Sequence, residues 1–481
     1  MASIRKPVTF ALIGFLFLLE LVSGILQGFY IPLIPTIIKH LGIETASYNW
    51  FEAAQLLLSA IVVPFLAKLG DMYGHKRILL ISTVLTAAAT WGLAFSGNFT
   101  TYLIAFALQG FYVVWLPLEV ALIFDRGRRT GRSASQTRRA AGFLVVALEL
   151  GAIIGDLAGG NLIDVFGGSV TLTLMVPAIA VTLVFFVILF GVPESEPLGG
   201  RSLDAAGFGV LTVGLLLITG GLAFLRIEGP TAWWVYLMML AGVLVFVPWT
   251  RFELKRPDPA IDIRVFRQPN MWPVQVTAGL VGISILGAQT PLATFAGANP
   301  KSGAGLGLSS GGISIVVGIY LISLIVGAVL FPILSNRTSP RIALIVAAFF
   351  VAAGYLDFLL LHSTEAETLL NMIVAGLGSG ALVGALPAAA AAAAPRGQTG
   401  VATALTNTTK TIGGSFASST FAIVLAGSSV LFLDHRTPTL GGYLTVFTIC
   451  GCGALVAALL LFLVPKLAFA DNPIESEPQG R

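Results

Sequence analysis

Six carboxyls fall inside long apolar stretches of this chain: Glu20, Glu119, Glu149 and Asp156 are the candidates for chemistry, while Glu52 and Asp357, near the outer face or unplaced, read as structural. An ionisable side chain at membrane depth is costly, and by default it is a functional candidate. Glu20 lies about ten residues into its stretch, roughly 15 Å deep at the rise of a helix. Gly24 and Gln27 follow at i+4 and i+7, so one face of that helix is polar. Glu149 lies at a similar depth in a later stretch, with Asp156 two turns further along the same face. Tyr112 and Trp115 stand seven and four residues before Glu119 and share its face. Such a stripe can hold a cation by charge and by aromatic faces. Burial in apolar surroundings disfavours the charged form of a carboxyl. A buried carboxyl can therefore cycle between neutral and charged as water reaches it from one side and then the other, which is the physical basis of coupling to protons. Plainer readings stand beside these. Glu119 can pair with the arginines at 126–139, and Asp156 can cap a kinked helix.

The later part of the chain offers different chemistry. Thr403, Asn407 and Lys410 share a helix face, and Gln275 and Gln289 lie in another apolar stretch. Lys410 is the one basic residue placed within a stretch. It can snorkel to the interface, or pair with Glu149 or Glu20 across a cavity. No G-x-x-x-x-G-K-[ST] motif is present, which argues against ATP as the energy source. The four histidines, His40, His75, His362 and His435, have no ligand spacing, so no metal site is expected. Asn98-Phe99-Thr100 matches a glycosylation acceptor but falls in a very short hairpin. Cys450 and Cys452 are i,i+2 neighbours and form no disulfide framework.

The elements that position these groups follow from composition. The chain has 481 residues, 56% hydrophobic and 10% charged, against about 25% charged in a soluble domain. Mean hydropathy is +0.92. This excludes a soluble enzyme, a disordered chain and a nucleic-acid binder. A membrane helix needs roughly 20 apolar residues. Fourteen such runs are predicted, at 10–34, 48–69, 78–96, 101–123, 140–162, 170–191, 206–226, 232–250, 271–296, 310–334, 341–361, 368–394, 400–427 and 441–465. The first is too long for a signal segment and is expected to be retained.

The distribution of charge supports that count. Loops on one side would carry 22 of the 27 basic residues, and the other side Lys39, Arg226, Lys301 and Arg436. By the positive-inside rule both termini are expected in the cytoplasm, with the protein in the plasma (inner) membrane. The net charge of +4 then reports orientation. The expected fold class is an all-α integral membrane protein with 14 transmembrane helices arranged 6+2+6. The domains are 1–192, a six-helix bundle; 193–270, two inserted helices with linkers; and 271–481, a second six-helix bundle with a short tail. GDMYGHKRILL after the second span and SNRTSPRIAL after the tenth show weak similarity between the two parts. Such repetition is a usual build of transporters, with the site at the repeat interface. The alanine-rich run 384–397 is read as a tightly packed helix end.

Several segments resemble one family. Gly70-Asp71-Met72-Tyr73-Gly74-His75-Lys76-Arg77 resembles the loop 2–3 signature G-x-x-x-D-x-x-G-R-R of the major facilitator superfamily. LQGFYVVWLP, from Leu108 to Pro117, is similar to a span-four segment of its fourteen-span drug:proton antiporter branch. Gly151-xxx-Gly155-Asp156-xx-Gly159-Gly160 resembles the span-five motif G-x-x-x-G-P-x-x-G-G of that branch. PAIDIRVFRQP and GQTGVATALTNTTKTIGG are similar to its segments before span nine and at the entry of span thirteen. The chain departs from the pattern at three positions linked to proton coupling in the family. Phe106 stands for an arginine, Asp156 for a proline and Leu26 for an acid.

The resemblance implies the major facilitator fold and alternating access. It implies proton-coupled export of hydrophobic or cationic small molecules, with the proton gradient as energy source and no cofactor. Glu20, Glu149 and Asp156 are the candidates for protonation or cation binding. Gln27, Tyr112, Trp115, Glu119, Gln275, Gln289, Asn407 and Lys410 are the candidates for the cavity. Gly70, Asp71, Gly74, Lys76 and Arg77 form the candidate gating loop. There, Asp71, at the cytoplasmic end of span two, is expected to accept hydrogen bonds from a nearby helix N-terminus, and Lys76 and Arg77 to pair with acids at the end of span four such as Asp125. The expected partners are a small-molecule substrate, protons and the lipid bilayer, with the chain acting as a monomer. Open alternatives are a symporter or uniporter for a polar metabolite, a flippase for lipid or envelope components, and a non-transporting scaffold or sensor.

Overall fold

The computed structural model of the chain describes residues 10–128, 133–195, 202–229, 231–261, 263–264, 271–393, 399–432 and 435–463. Arg5, Lys6, Arg129, Arg132, Arg201, Arg267, Arg396, Lys466 and Arg481, all used in the charge argument, lie outside them. So do the side chains of Asp125 and Thr403.

Among the described residues, 13 helices are long and apolar enough to cross a membrane. In lipid every backbone polar group must be satisfied within the chain, and helices do this span by span. The first span is α1 (Phe10–Gly28), a 3₁₀ turn at Ile31–Leu33, and α2 (Ile34–Leu41). Pro32 and Pro35 lack donors, and each sits at the start of a new helical segment, where none is needed. Next come α3 (Asn49–Tyr73) and α4 (His75–Ala94). The fourth span is α5 (Phe99–Gln109), a 3₁₀ turn at Gly110–Val114, and α6 (Trp115–Arg128). Asn98 caps α5 by accepting from Thr101 N at 3.0 Å, which accounts for its place in that short hairpin. The 33-residue α7 (Ser133–Val165) and α8 (Val170–Gly191) complete the first bundle.

The second bundle begins with a broken span, α11 (Trp272–Ile285) and α12 (Gln289–Gly297). It continues through α13 (Ser310–Arg337), α14 (Pro340–Leu356), α15 (Glu365–Ala393), α16 (Thr399–Gly427) and α17 (Leu440–Leu461). The run predicted at 400–427 is the helix α16, but it is not among the 13 apolar helices. It is rich in Ser and Thr, and it packs between α3 and α11 at the centre of the molecule. A short antiparallel hairpin, β1 (Ser429–Phe432) and β2 (His435–Pro438), separates it from α17. Periodicity had not marked this hairpin, which is too short to alter the helical class.

Between the bundles lie α9 (Ala205–Glu228) and α10 (Trp233–Glu253), packed on each other. Only 17% of the apolar window of α10 is buried, against 67% for α11–α12, which puts the inserted pair at the periphery. It is anchored by an apolar cluster, Phe208, Leu211, Leu215 and Trp249 packed on Phe65 of α3 and Phe416 of α16, and by polar bonds. Trp249 Nε1 donates to Gly207 O at 2.8 Å, and Glu253 accepts from Ala260 N at 2.8 Å. Lys68, near the end of α3, donates to the carbonyls of Asp258 and Pro259 at 3.0 and 3.1 Å. The linker after α10 is thereby tied to the first bundle beside loop 2–3. That end of the molecule, where most of the described basic residues lie, is called the basic end below.

Candidate functional site

Loop 2–3 is held by the end of the sixth span. Gly74 has φ +105°, a conformation that favours glycine, and a Cβ there would lie 2.6 Å from Glu194 Oε1. The Glu194 carboxylate accepts from Lys76 N at 3.0 Å and caps the start of α4. Lys76 Nζ donates to Leu189 O at 2.8 Å, and Arg77 Nε lies 3.7 Å from Glu194 Oε2. His75 binds Ser195 through its backbone N–H at 2.9 Å and its ring at 2.7 Å. Asp71 stands 3.3 Å from the His75 ring. Glu194 thus caps α4 through the Lys76 N–H and faces Arg77, while the Lys76 ammonium is held by the Leu189 carbonyl. The polar PESE run after span six was the available signal. Gly70 packs tightly, since a Cβ there would lie 2.6 Å from Leu118.

Among the described residues, three carboxyls of the first bundle are fully buried with no basic partner. Glu20, Glu119 and Asp156 are 0% exposed; Ser23 stands beside the Glu20 carboxyl and Ser314 beside that of Asp156, while neither oxygen of Glu119 has a hydrogen-bond partner among those residues. Glu20 on α1 and Glu119 on α6 lie near enough to interact electrostatically, with Tyr112 beside Glu20. Trp115 is fully buried in the bundle core and donates to Ser82 Oγ at 3.2 Å. Glu149 is half-buried, and its charge interacts with that of Lys410 on α16 across the two bundles. Gln275 belongs to the core of the second bundle and donates to Thr406 Oγ1 at 3.0 Å. Asn407 is half-buried on α16.

The bundles meet at the end opposite the basic one. Thr36 and Ser310 hydroxyls lie 3.3 Å apart. Ser314 on α13 donates to the carbonyl of Asp156, and Ser415 on α16 donates to Ala53 O at 2.8 Å. Below this seam lies a cavity of about 60 Å³, room for a few waters but not for a drug-sized molecule. It opens at Gln27, which is exposed. Gln27, Tyr112 and Gln289 line it, as the residue types suggested. Tyr30, Tyr48, Glu52, Gln55 and Phe106 line it as well, and sequence reasoning had not placed them there. The cavity sits where the first, fourth and ninth spans break. Irregular backbone at membrane depth is tolerated where it lines a cavity. Gly28, Pro32 and Pro35 in one span, and Gly287 with Pro291 in another, were the signals.

Comparison with known proteins agrees with this architecture. A family model described as Major Facilitator Superfamily matches residues 16–418. The chain is 26% identical over 396 residues to the "Uncharacterized MFS-type transporter YvkA" of Bacillus subtilis (strain 168), covering 81% of this chain and 84% of that protein. It is 23% identical over 411 residues to the "Multidrug transporter protein MdtP" of the same strain, covering 84% and 73%. The crystal structure of peptide transporter POT in complex with sulfate superposes with a TM-score of 0.68 at 16% identity, covering 95% of this chain and 96% of that one. At that identity the likeness is one of fold.

Proposed function

The chain belongs to the major facilitator superfamily and is a membrane transporter, not an enzyme; from that premise we propose that it exports hydrophobic or cationic small molecules in exchange for protons. The observation that carries this reading is the fully buried, neighbouring pair Glu20 and Glu119, which has no basic partner among the described residues. Burying a carboxylate without a counter-charge is costly, and burying two as neighbouring charges is costlier. Such a pair is a place to hold a proton in one state and give it up in another. Glu149 and Asp156 extend the set toward the second bundle. The similarity to a multidrug transporter points the same way.

In this reading the chain spans the plasma membrane fourteen times in a 6+2+6 arrangement, with α16 as the thirteenth span. The domain limits are 1–192, 193–270 and 271–481, and the chain works as a monomer driven by the proton gradient. The basic end faces the cytoplasm. The seam then closes the outer side, and the opening at Gln27 belongs to an inward-facing state. Alternating access requires the bundles to part along that seam and close at loop 2–3. A second reading, proton-coupled movement of a polar metabolite, is favoured by the three amides Gln27, Gln55 and Gln289 in the cavity wall.

Energised inside-out vesicles with a pH-sensitive dye test the proposal. Lipophilic cations and neutral compounds should each collapse part of the proton gradient in wild type. Glu20→Gln and Glu119→Gln should each reduce that response about tenfold or more. No response from folded wild-type protein to any compound overturns export. A response to polar metabolites alone moves the assignment to the second reading.

A further inference from the structure

The inserted pair α9–α10 has no part in the mechanism above, yet it walls a groove of about 350 Å³, larger than the central cavity. Leu215 of α9 and Phe246 of α10 form one side, Ile412 and Phe416 of α16 the other, and Ile261 and Ile263 of the linker stand at the basic end. Polar groups in this lining are already engaged. Thr250 donates to Phe246 O at 2.7 Å, Thr409 to Leu405 O at 2.9 Å, and Trp249 Nε1 to Gly207 O at 2.8 Å. Whatever lies in the groove is therefore apolar along its length. Benzene fills an apolar cavity of about 150 Å³, so this groove takes roughly a dozen carbons of a chain.

Charge gathers where the groove reaches the basic end. Arg251 follows Thr250 of the wall, and Lys255 lies one turn on. Both are exposed, and among the described residues neither makes an ion pair. Arg264 follows Ile263 and donates to the Leu254 and Arg256 carbonyls at 3.0 and 2.9 Å, beside the same turn. Basic residues at the mouth of an apolar groove between membrane helices suit an anionic lipid, its chain within and its phosphate on the cations. A zwitterionic lipid has the chain without the net charge, and a soluble anion has the charge without the chain. The two walls also belong to different parts of the molecule. Lys68 and the edge contact of Phe65 with Phe208, ring centroids 5.4 Å apart, fasten the inserted pair to α3, whereas α16 belongs to the second bundle. The groove has its width with the seam closed, so filling it favours that state over one in which the bundles have parted. We infer that the inserted pair and α16 hold one anionic phospholipid, with a chain in the groove and its headgroup on Arg251 and Lys255, and that this lipid stabilises the closed seam. The site does not depend on what the protein transports.

The test uses the full chain, washed in detergent and mixed with dioleoyl phosphatidylglycerol or dioleoyl phosphatidylcholine, with bound lipid counted by native mass spectrometry. Wild type should hold one phosphatidylglycerol about tenfold more tightly than phosphatidylcholine. Arg251→Gln combined with Lys255→Gln should remove that preference. Arg337→Gln, which removes an exposed charge at the same end on α13, should leave it within about twofold. Ile412→Trp, which sets a ring into the groove, should weaken retention of both lipids about tenfold. Phosphatidylglycerol should also raise oxidative cross-linking between Thr36→Cys and Ser310→Cys severalfold, in a chain without its two native cysteines, and phosphatidylcholine should not. Equal retention of the two lipids by wild type, or a loss in Arg337→Gln equal to that in the charge pair, would mean an unspecific basic surface and overturns the site. Retention unchanged in Ile412→Trp overturns the groove as its place. Displacement of the lipid by inorganic phosphate assigns the charges to a soluble anion and overturns the lipid. Cross-linking that ignores phosphatidylglycerol overturns the link to the seam. Should Ile412→Trp fail to fold, the charge pair measured against Arg337→Gln still decides.

Discussion

Helix α7 presents one face to α1 and another to α13, and the two are made of different materials. Toward α1 it sets Gly151, Gly155 and Gly159, four residues apart on one stripe, against Gly24 and Gly28. A Cβ on Gly155 would lie 2.6 Å from Ile25 O, and Cβ atoms on Gly28 and Gly159 would strike the carbonyls of Ala152 and Phe29. The neighbours are backbone, which has no rotamer by which to yield. Toward α13, α7 sets Asp156 and Gly160. A Cβ on Gly160 would lie 2.5 Å from Ser314 Oγ, and one on Gly318 would lie 3.5 Å from Asp156 Oδ2. Here the nearest neighbours are a hydroxyl and a carboxyl, with one carbonyl, Ser310 O, at 2.9 Å from the Gly160 position. Small residues let membrane helices approach closely, and van der Waals contact then holds them. Two backbones in contact make a joint that stays closed. A hydroxyl laid against a carbonyl makes one that can part.

If that contrast is right, Gly28→Leu has the largest effect of any change on α7 or its partners. Overpacking a well-fitted contact costs about 1–3 kcal/mol, and here every neighbour is main chain. The yield of monodisperse protein on size exclusion should fall to about a tenth of wild type or less. A wild-type profile for this variant would show that the α1 face is as adaptable as the α13 face.

Gly160→Val should come next and act differently. The protein should fold and extract as wild type does, because each bundle keeps its own core. The seam, however, should not close. Oxidative cross-linking between Thr36→Cys and Ser310→Cys, in a chain without its two native cysteines, should drop severalfold, and transport should fall about tenfold. Loss of folded protein instead would mean that the α13 face is part of the permanent core.

The α1 face was legible from sequence because glycine spacing is a local pattern, and Gly151, Gly155 and Gly159 recur at one helical turn. The apolar runs were legible for the same reason. A window of twenty residues reports burial in lipid without any knowledge of neighbours. What was not legible depends on parts far apart in the chain. Glu194 caps α4 from more than a hundred residues away. The cavity forms where breaks in three separate spans come together, and a hydropathy window averages over each break. Glu52 therefore read as a residue of a span end, although the fold of α12 and α16 around it places it in the cavity wall. Trp115 shows the converse. Its spacing matched the Glu119 stripe, yet its indole N–H needs a partner when buried, and Ser82 supplies one inside the bundle.

The smallest change should be the most informative about the α13 face. Ser314→Ala removes one interhelical hydrogen bond, to the carbonyl of Asp156, and leaves the close approach of Gly160 intact. Hydrogen bonds between membrane helices average about 0.6 kcal/mol by double-mutant cycles. That shifts an open–closed ratio by about threefold. The Asp156 carbonyl belongs to the body of α7, so helical bonding still satisfies it and no orphan acceptor adds to the cost. The expected result is normal folding, a cross-link yield between positions 36 and 310 reduced by up to threefold, and a transport rate within about threefold of wild type. Combined with Gly160→Val, the serine change should add almost nothing, because a seam already held apart has no bond left to lose. An effect of Ser314→Ala as large as that of Gly160→Val would mean that the hydroxyl rather than the close approach holds the bundles together. Additive effects in the pair would mean that the two residues act on different states, and the α13 face would then have to be divided into a contact that closes and a contact that senses.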